Sequence, residues 1–144
     1  DTHYYGLEAP AGTGWPFTVG SVTNESGVAT RMVYRTGSGE RVVDEYRRWL
    51  QSPDVMLANY FRDAAAPDRG DLPVFDLRIY RFDADLTRKT VHLGVEWRRA
   101  AAGSTAAEWT NFRCEVPFDA VTPEAMAGAF SACAEQLGKE LEHK

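Results

Sequence analysis

Few side chains here have the type and spacing that bond-making chemistry needs. The histidines His3, His92 and His143 include no two at metal-ligand spacing, and neither Cys114 nor Cys133 belongs to a Cys-x-x-Cys unit. Ser52 stands directly before Pro53, a place that suits a helix cap rather than a nucleophile. No Gly-x-Ser-x-Gly elbow occurs, and Gly37-Ser38-Gly39 has no helix start behind it to cradle a phosphate. Asp83 and Asp85 form an acidic pair of the kind turns carry, a faint calcium signal at most. No catalytic or metal site can be assembled from these residues and no cofactor is called for. The expectation is a protein that is not an enzyme.

The chemistry of contact is better represented. Tyr34, Arg35, Arg47 and Trp49 cluster on one short stretch and are the candidate partner-binding residues. Aromatic rings bury much area at little entropic cost, and guanidinium groups reach carboxylates across an interface. Trp49 has a competing role as a core residue that pins this stretch to the helix after it. Tyr80, Phe82 and Trp109 fall on the nominally polar face of their strands. They form a second candidate surface, unless a loop or the N-terminal segment covers them.

The elements that position these residues follow from period and punctuation. Met32–Thr36 and Arg41–Tyr46 alternate around the loop Gly37-Ser38-Gly39-Glu40 and read as a β-hairpin. Ser52-Pro53-Asp54 and Thr122-Pro123-Glu124 are helix starts, with a capping hydroxyl, a proline without an N–H and an acid at the positive end of the dipole. The first helix, Ser52–Ala65, presents Leu57, Phe61 and Ala64 with Met56 and Tyr60 beside them. The second, Thr122–Glu142, carries the stripe Met126, Phe130, Cys133, Leu137 and Leu141. His3–Leu7 and Phe17–Val22 are strand-like. Val74–Phe82, Val91–Trp97 and Ala107–Val116 alternate with period two, as half-buried antiparallel strands do. Pro67–Pro73 and Ala101–Thr105 read as loops. The predicted fold is α+β: an antiparallel sheet with both helices on one face, a two-layer single domain over 1–144.

Composition narrows the partners. With 144 residues, 44% of them hydrophobic, the chain is long enough for one domain with a genuine core. A net charge of -5, with the basic pairs at Arg47-Arg48, Arg88-Lys89 and Arg98-Arg99 interrupted by acids, speaks against nucleic-acid binding by general electrostatics. No apolar run reaches membrane-spanning length.

The run Val33-Tyr34-Arg35-Thr36-Gly37, then Arg47-Arg48-Trp49-Leu50-Gln51-Ser52-Pro53 and an amphipathic helix, resembles the ABC-type transport auxiliary lipoprotein family. The likeness runs from Tyr4 to Leu141, although Glu25–Ala29 stands where members carry a Tyr/Leu-rich segment. It implies a periplasm-facing accessory lipoprotein of an ABC or mammalian-cell-entry-type envelope transport system, probing other subunits by docking. A lipoprotein leader and a lipidated cysteine upstream of Asp1 would anchor it, with the outer membrane as the expected site. Lipid as a further partner and a homo-oligomer stay open. The alternative is a small-ligand-binding or hydrolytic α+β domain whose curved sheet wraps a pocket. Cys114 shares a strand face with Phe112 and Val116, and Cys133 lies in the helix stripe, so both point into one interface. A disulfide or a close contact is expected there, and an envelope location would be oxidising.

Overall fold

The computed structural model describes residues 2–66, 71–100 and 108–144. In chain order these form β1 (His3–Tyr5), β2 (Thr18–Asn24), β3 (Arg31–Arg35), β4 (Arg41–Trp49), α1 (Pro53–Asp63), β5 (Val74–Asp85), β6 (Thr90–Arg99), β7 (Thr110–Pro117) and α2 (Pro123–Leu141). The loops expected at Pro67–Pro73 and Ala101–Thr105 fall largely or wholly outside the described residues.

The strands form one sheet in the order β1-β4-β3-β5-β6-β7, with β2 also paired to β5. The expected antiparallel sheet is corrected here: the sheet is mixed. β3–β4, β5–β6 and β6–β7 are antiparallel, whereas β1–β4, β2–β5 and β3–β5 are parallel. Alternation reports which face a side chain takes and not the direction of the neighbouring strand. The hairpin and α1 lie between β2 and β5 in sequence and carry the chain back, so β5 enters alongside β2 in the same direction.

Both helices pack on one face of this sheet. Phe61 of α1 lies 5.5 Å from Phe17, and Phe17 lies 5.7 Å from Phe75 of β5. Phe130 of α2 stacks at 4.2 Å on Phe82, further along the same strand. Every residue of the α2 stripe is buried, from Met126 to Leu141. Trp15 reaches α2 from the N-terminal side and lies against Gly138, where any side chain would collide with the indole. Thr122 caps α2, its Oγ1 accepting from the Ala125 N–H at 3.2 Å. Ser52 precedes α1 with Pro53 in the first turn, but its hydroxyl makes no capping bond. The cap role expected for Ser52 is therefore met by the backbone and the proline alone.

A bulge in β5 decides where its aromatics point. Ile79 pairs with Val95 and Arg81 with Gly94, so Tyr80 is an extra residue opposite one step of β6. Phe75, Leu77 and Ile79 face the helices, and after the bulge Phe82 and Ala84 do so again, all buried. Phe82 thus belongs to the core and not to the polar face, a correction to the simple alternation. Tyr80 lies on the other face, flat across Gly94, where a Cβ would come within 2.6 Å of its ring.

Candidate docking surface

The hairpin is built on a buried carboxylate. β3 and β4 pair Arg35 with Arg41, Tyr34 with Val42 and Val33 with Val43, but Arg31 pairs with Arg48, so β4 carries a bulge between Val43 and Arg48. Asp44 fills it. Its Oδ1 accepts the backbone N–H groups of Tyr46 and Arg47 at 2.9 Å each, and its Oδ2 accepts the Tyr34 hydroxyl at 2.5 Å and the Arg47 guanidinium at 3.4 Å. Burial pushes the Asp44 carboxyl up, but these four donors outweigh it and hold the group below the usual carboxylate range. Burial and the bond to Asp44 push the Tyr34 hydroxyl well above its ordinary value, so it stays a donor.

Asp44→Ala strands the Tyr34 hydroxyl and two backbone donors and is expected to cost about 1–3 kcal/mol. The sign of the pH dependence is set by the lowered group. Because the folded-state pKa lies below the unfolded value of 3.8, the stabilisation is full above that value and is lost as pH falls through the folded pKa. Melting followed from neutral to acid pH should therefore fall more steeply below pH 4 in the wild type than in the Asp44→Ala chain. Parallel curves would show that Asp44 is not the group responsible.

This lock changes the list of contact residues. Tyr34 is 8% exposed and Trp49 2%, so neither candidate is open to a partner. Trp49 sits edge-on to Phe82 at 5.1 Å and to Phe130 at 5.3 Å, tying the hairpin to both layers of the core. Arg47 is turned back to Asp44, and Arg35 pairs with the buried Asp83 at 3.2 Å. The exposed residues of the hairpin are instead Val42, Val43 and Tyr46, with Tyr4 and Leu50 exposed beside them. Arg31, Arg41 and Arg48 surround Val33 and Val43 at a depression of about 250 Å³. Only the strand register reveals this grouping.

The second candidate surface is divided in the same way. Phe82 is core, whereas Tyr80 and Trp109 lie half-buried on the face away from the helices. The Tyr80 hydroxyl donates to Asn111 Oδ1 at 2.6 Å. Trp109 is held between the Arg78 and Arg98 guanidinium groups, 4.1 and 4.3 Å from its ring centre. These rings are engaged with their own sheet, and among the described residues they form no continuous exposed apolar patch.

His3 and His143 are exposed, and His92 is buried within reach of Thr90 Oγ1 at 3.0 Å and Glu115 at 3.3 Å. Burial, with the nearby Arg81, holds the His92 imidazole below its ordinary pKa. Among the described residues no three His, Cys, Asp or Glu side chains could share a metal ion. No described helix is long and apolar enough to cross a membrane. A cleft of about 620 Å³ lies between Gly6–Thr13 and α1, with Leu7, Leu50, Met56 and Tyr60 among its lining residues. Burial, together with Glu135, pushes the Tyr60 hydroxyl up to about 12. Cys114 and Cys133 are joined in a disulfide between β7 and α2, with Cα atoms 5.6 Å apart.

No family model matches the chain, and no curated protein matches it. Several solved structures share the fold, among them two that cover nearly the whole chain. One, described as the crystal structure of an uncharacterized protein, superposes with a TM-score of 0.75 at 17% identity, over 99% of this chain and 98% of that one. The other is protein XCC0632 from Xanthomonas campestris, described under the family model DUF330, with a TM-score of 0.62 at 20% identity, over 98% of this chain and 92% of that one. Likeness at these identities is a likeness of fold.

Proposed function

We propose that this chain is the periplasm-facing domain of a non-enzymatic accessory lipoprotein that docks onto other subunits of an ABC or mammalian-cell-entry-type envelope transport system. The observation that carries the reading is the hairpin. Its inner residues are locked by Asp44, while Val43 on the arginine-bearing face, Val42 on the opposite face and Tyr46 in the β4 bulge are open to solvent, 48%, 37% and 55% exposed. A rigid support under exposed apolar and arginine side chains is what a docking surface needs, because little is left to order on binding. The Cys114–Cys133 disulfide adds support, since such bonds persist in oxidising compartments such as the periplasm. The family resemblance of the hairpin and α1 supplies the transport context, with an upstream lipid as anchor and the outer membrane as its site.

The test is affinity purification of the tagged chain, expressed with its natural upstream sequence, from detergent-solubilised envelopes. The permease, ATPase or shuttle subunits of one transport system should co-purify. A Val43→Asp, Tyr46→Asp chain should lose them while keeping its melting temperature, because both side chains are exposed. Recovery of no transporter subunit by the folded wild-type chain would sink the reading. The 620 Å³ cleft favours a second reading, a ligand-binding domain of the cone-shaped type. A small molecule retained through purification and lost on Met56→Trp would favour that alternative.

A further inference from the structure

The face of the hairpin that carries Val43 has a charge pattern that works against its own stability. In an antiparallel pair, directly opposed residues project from the same face, and so do positions two and four further along a strand. The pairs Arg35–Arg41, Val33–Val43 and Arg31–Arg48 therefore form three rows on one face: basic, apolar, basic. Like charges placed opposite each other across a ladder are destabilising. Arg35 is compensated by Asp83, and Arg41 donates to the Gly27 carbonyl at 2.7 Å. Among the described residues none of Arg31, Arg41 and Arg48 lies within ion-pair reach of a carboxylate. All three nevertheless line the one depression with Val33 and Val43, in a chain whose net charge is -5. An acidic chain that leaves three guanidinium groups together without a counter-charge has a place for anions.

We infer that this depression binds an acidic, extended segment of a partner protein. Arg31, Arg48 and Arg41 take its carboxylates, and the exposed Val43 takes the apolar side chain between them, with the buried Val33 as the floor beneath. The inference rests on the docking role proposed above and names the chemistry of the partner. The row spacing selects the ligand. Four residues along β3 separate the two basic rows, about 13 Å at the rise of a strand. One phosphate group cannot serve both rows, and the apolar row between them would face its oxygens. An extended peptide with acids at positions i and i+4 and an aliphatic residue at i+2 matches charge, spacing and polarity together. Arginine in preference to lysine suits this, because its planar fork holds a carboxylate through two parallel bonds.

The test uses fluorescein-labelled Ser-Glu-Thr-Val-Thr-Glu-Ser, the same peptide with Gln in place of Glu, and vesicles of phosphatidylglycerol in phosphatidylcholine. By fluorescence anisotropy the wild-type chain should bind the acidic peptide at low salt, more weakly at high salt, and the Gln peptide not at all. Arg31→Gln and Arg48→Gln should each weaken binding about tenfold. Arg48→Lys should weaken it less. Each Gln variant should melt at or above the wild-type temperature, because one of two opposed like charges is gone. Equal binding of the two peptides, or unchanged binding by the Arg31→Gln, Arg48→Gln chain, would overturn the inference. So would Arg48-dependent flotation with the vesicles when the acidic peptide does not bind, which would give the site to lipid phosphate. Transporter subunits recovered equally by the wild type and the Arg31→Gln, Arg48→Gln chain would overturn this site and leave the docking role standing. Arginine-dependent peptide binding by a chain that recovers no transporter subunit would support the site and remove the transport role.

Discussion

Replacing Trp49 by alanine is expected to destabilise the domain by about 3–5 kcal/mol, with a fall in melting temperature on the order of 10–20 °C. The indole is 2% exposed and stands at the end of β4, where the hairpin turns into α1. It meets Phe82 of β5 and Phe130 of α2 edge-on, and those two rings stack on each other. Edge-to-face contacts of this kind add to the area a large ring buries. Removing the indole leaves a void bordered by three elements that cannot all move in at once, because Phe82 is fixed by the sheet and Phe130 by its helix. Its backbone N–H donates to the Thr30 carbonyl, and alanine would keep that bond, so the loss comes from packing. A chemical denaturation curve would check the result, and a midpoint unchanged by the substitution would place Trp49 outside the core. Binding of the acidic peptide by the fraction that remains folded should survive, since Trp49 does not line the arginine depression.

The helices and most of the core were legible because a stripe at period 3.6 has one physical cause, a single buried side. Leu57 and Phe61 in α1 and every stripe residue of α2 are buried. Strand direction was not legible, since a period of two holds for parallel and antiparallel neighbours alike. The β5 bulge was hidden for a related reason. Simple alternation puts Phe82 with Tyr80, and only the pairing with β6 shows that Tyr80 is the extra residue. The hairpin misled most where it looked plainest. Met32, Val33 and Tyr34 are consecutive and all buried, because Met32 and Tyr34 take one side of β3 and Val33, on the other, lies at the floor of the arginine-lined depression. Tyr34 therefore reads as a contact residue by type and acts as a donor to Asp44. Arg31, Arg41 and Arg48 are scattered in sequence and become neighbours only through a register that the bulge at Asp44 sets. A side chain's type shows what it can do, and here the register settles with whom.

Removing the disulfide should have an effect nearly as large. Cys114 and Cys133 are 19 residues apart and join β7, the outermost strand on its side of the sheet, to the middle of α2. Cross-linking a loop of this length restricts the unfolded chain and stabilises the fold by roughly 3 kcal/mol. Both side chains are buried, so Cys114→Ala with Cys133→Ala also gives up sulfur packing in the core. The effect should be local in structure. Among the described strands β7 is bonded to β6 alone, so without the covalent tie it is held to α2 by the packing of the sheet face. Amide exchange should therefore rise most in Thr110–Pro117 and least in β5, which pairs with strands on both sides. Melting the oxidised chain with and without reductant separates the covalent contribution from the packing lost in the double-alanine chain. The reduced wild type should melt below the oxidised form and at or above the double-alanine form. If reductant leaves both melting temperature and β7 exchange unchanged, the bond does not hold this edge of the sheet, and β7 is secured by its ladder to β6.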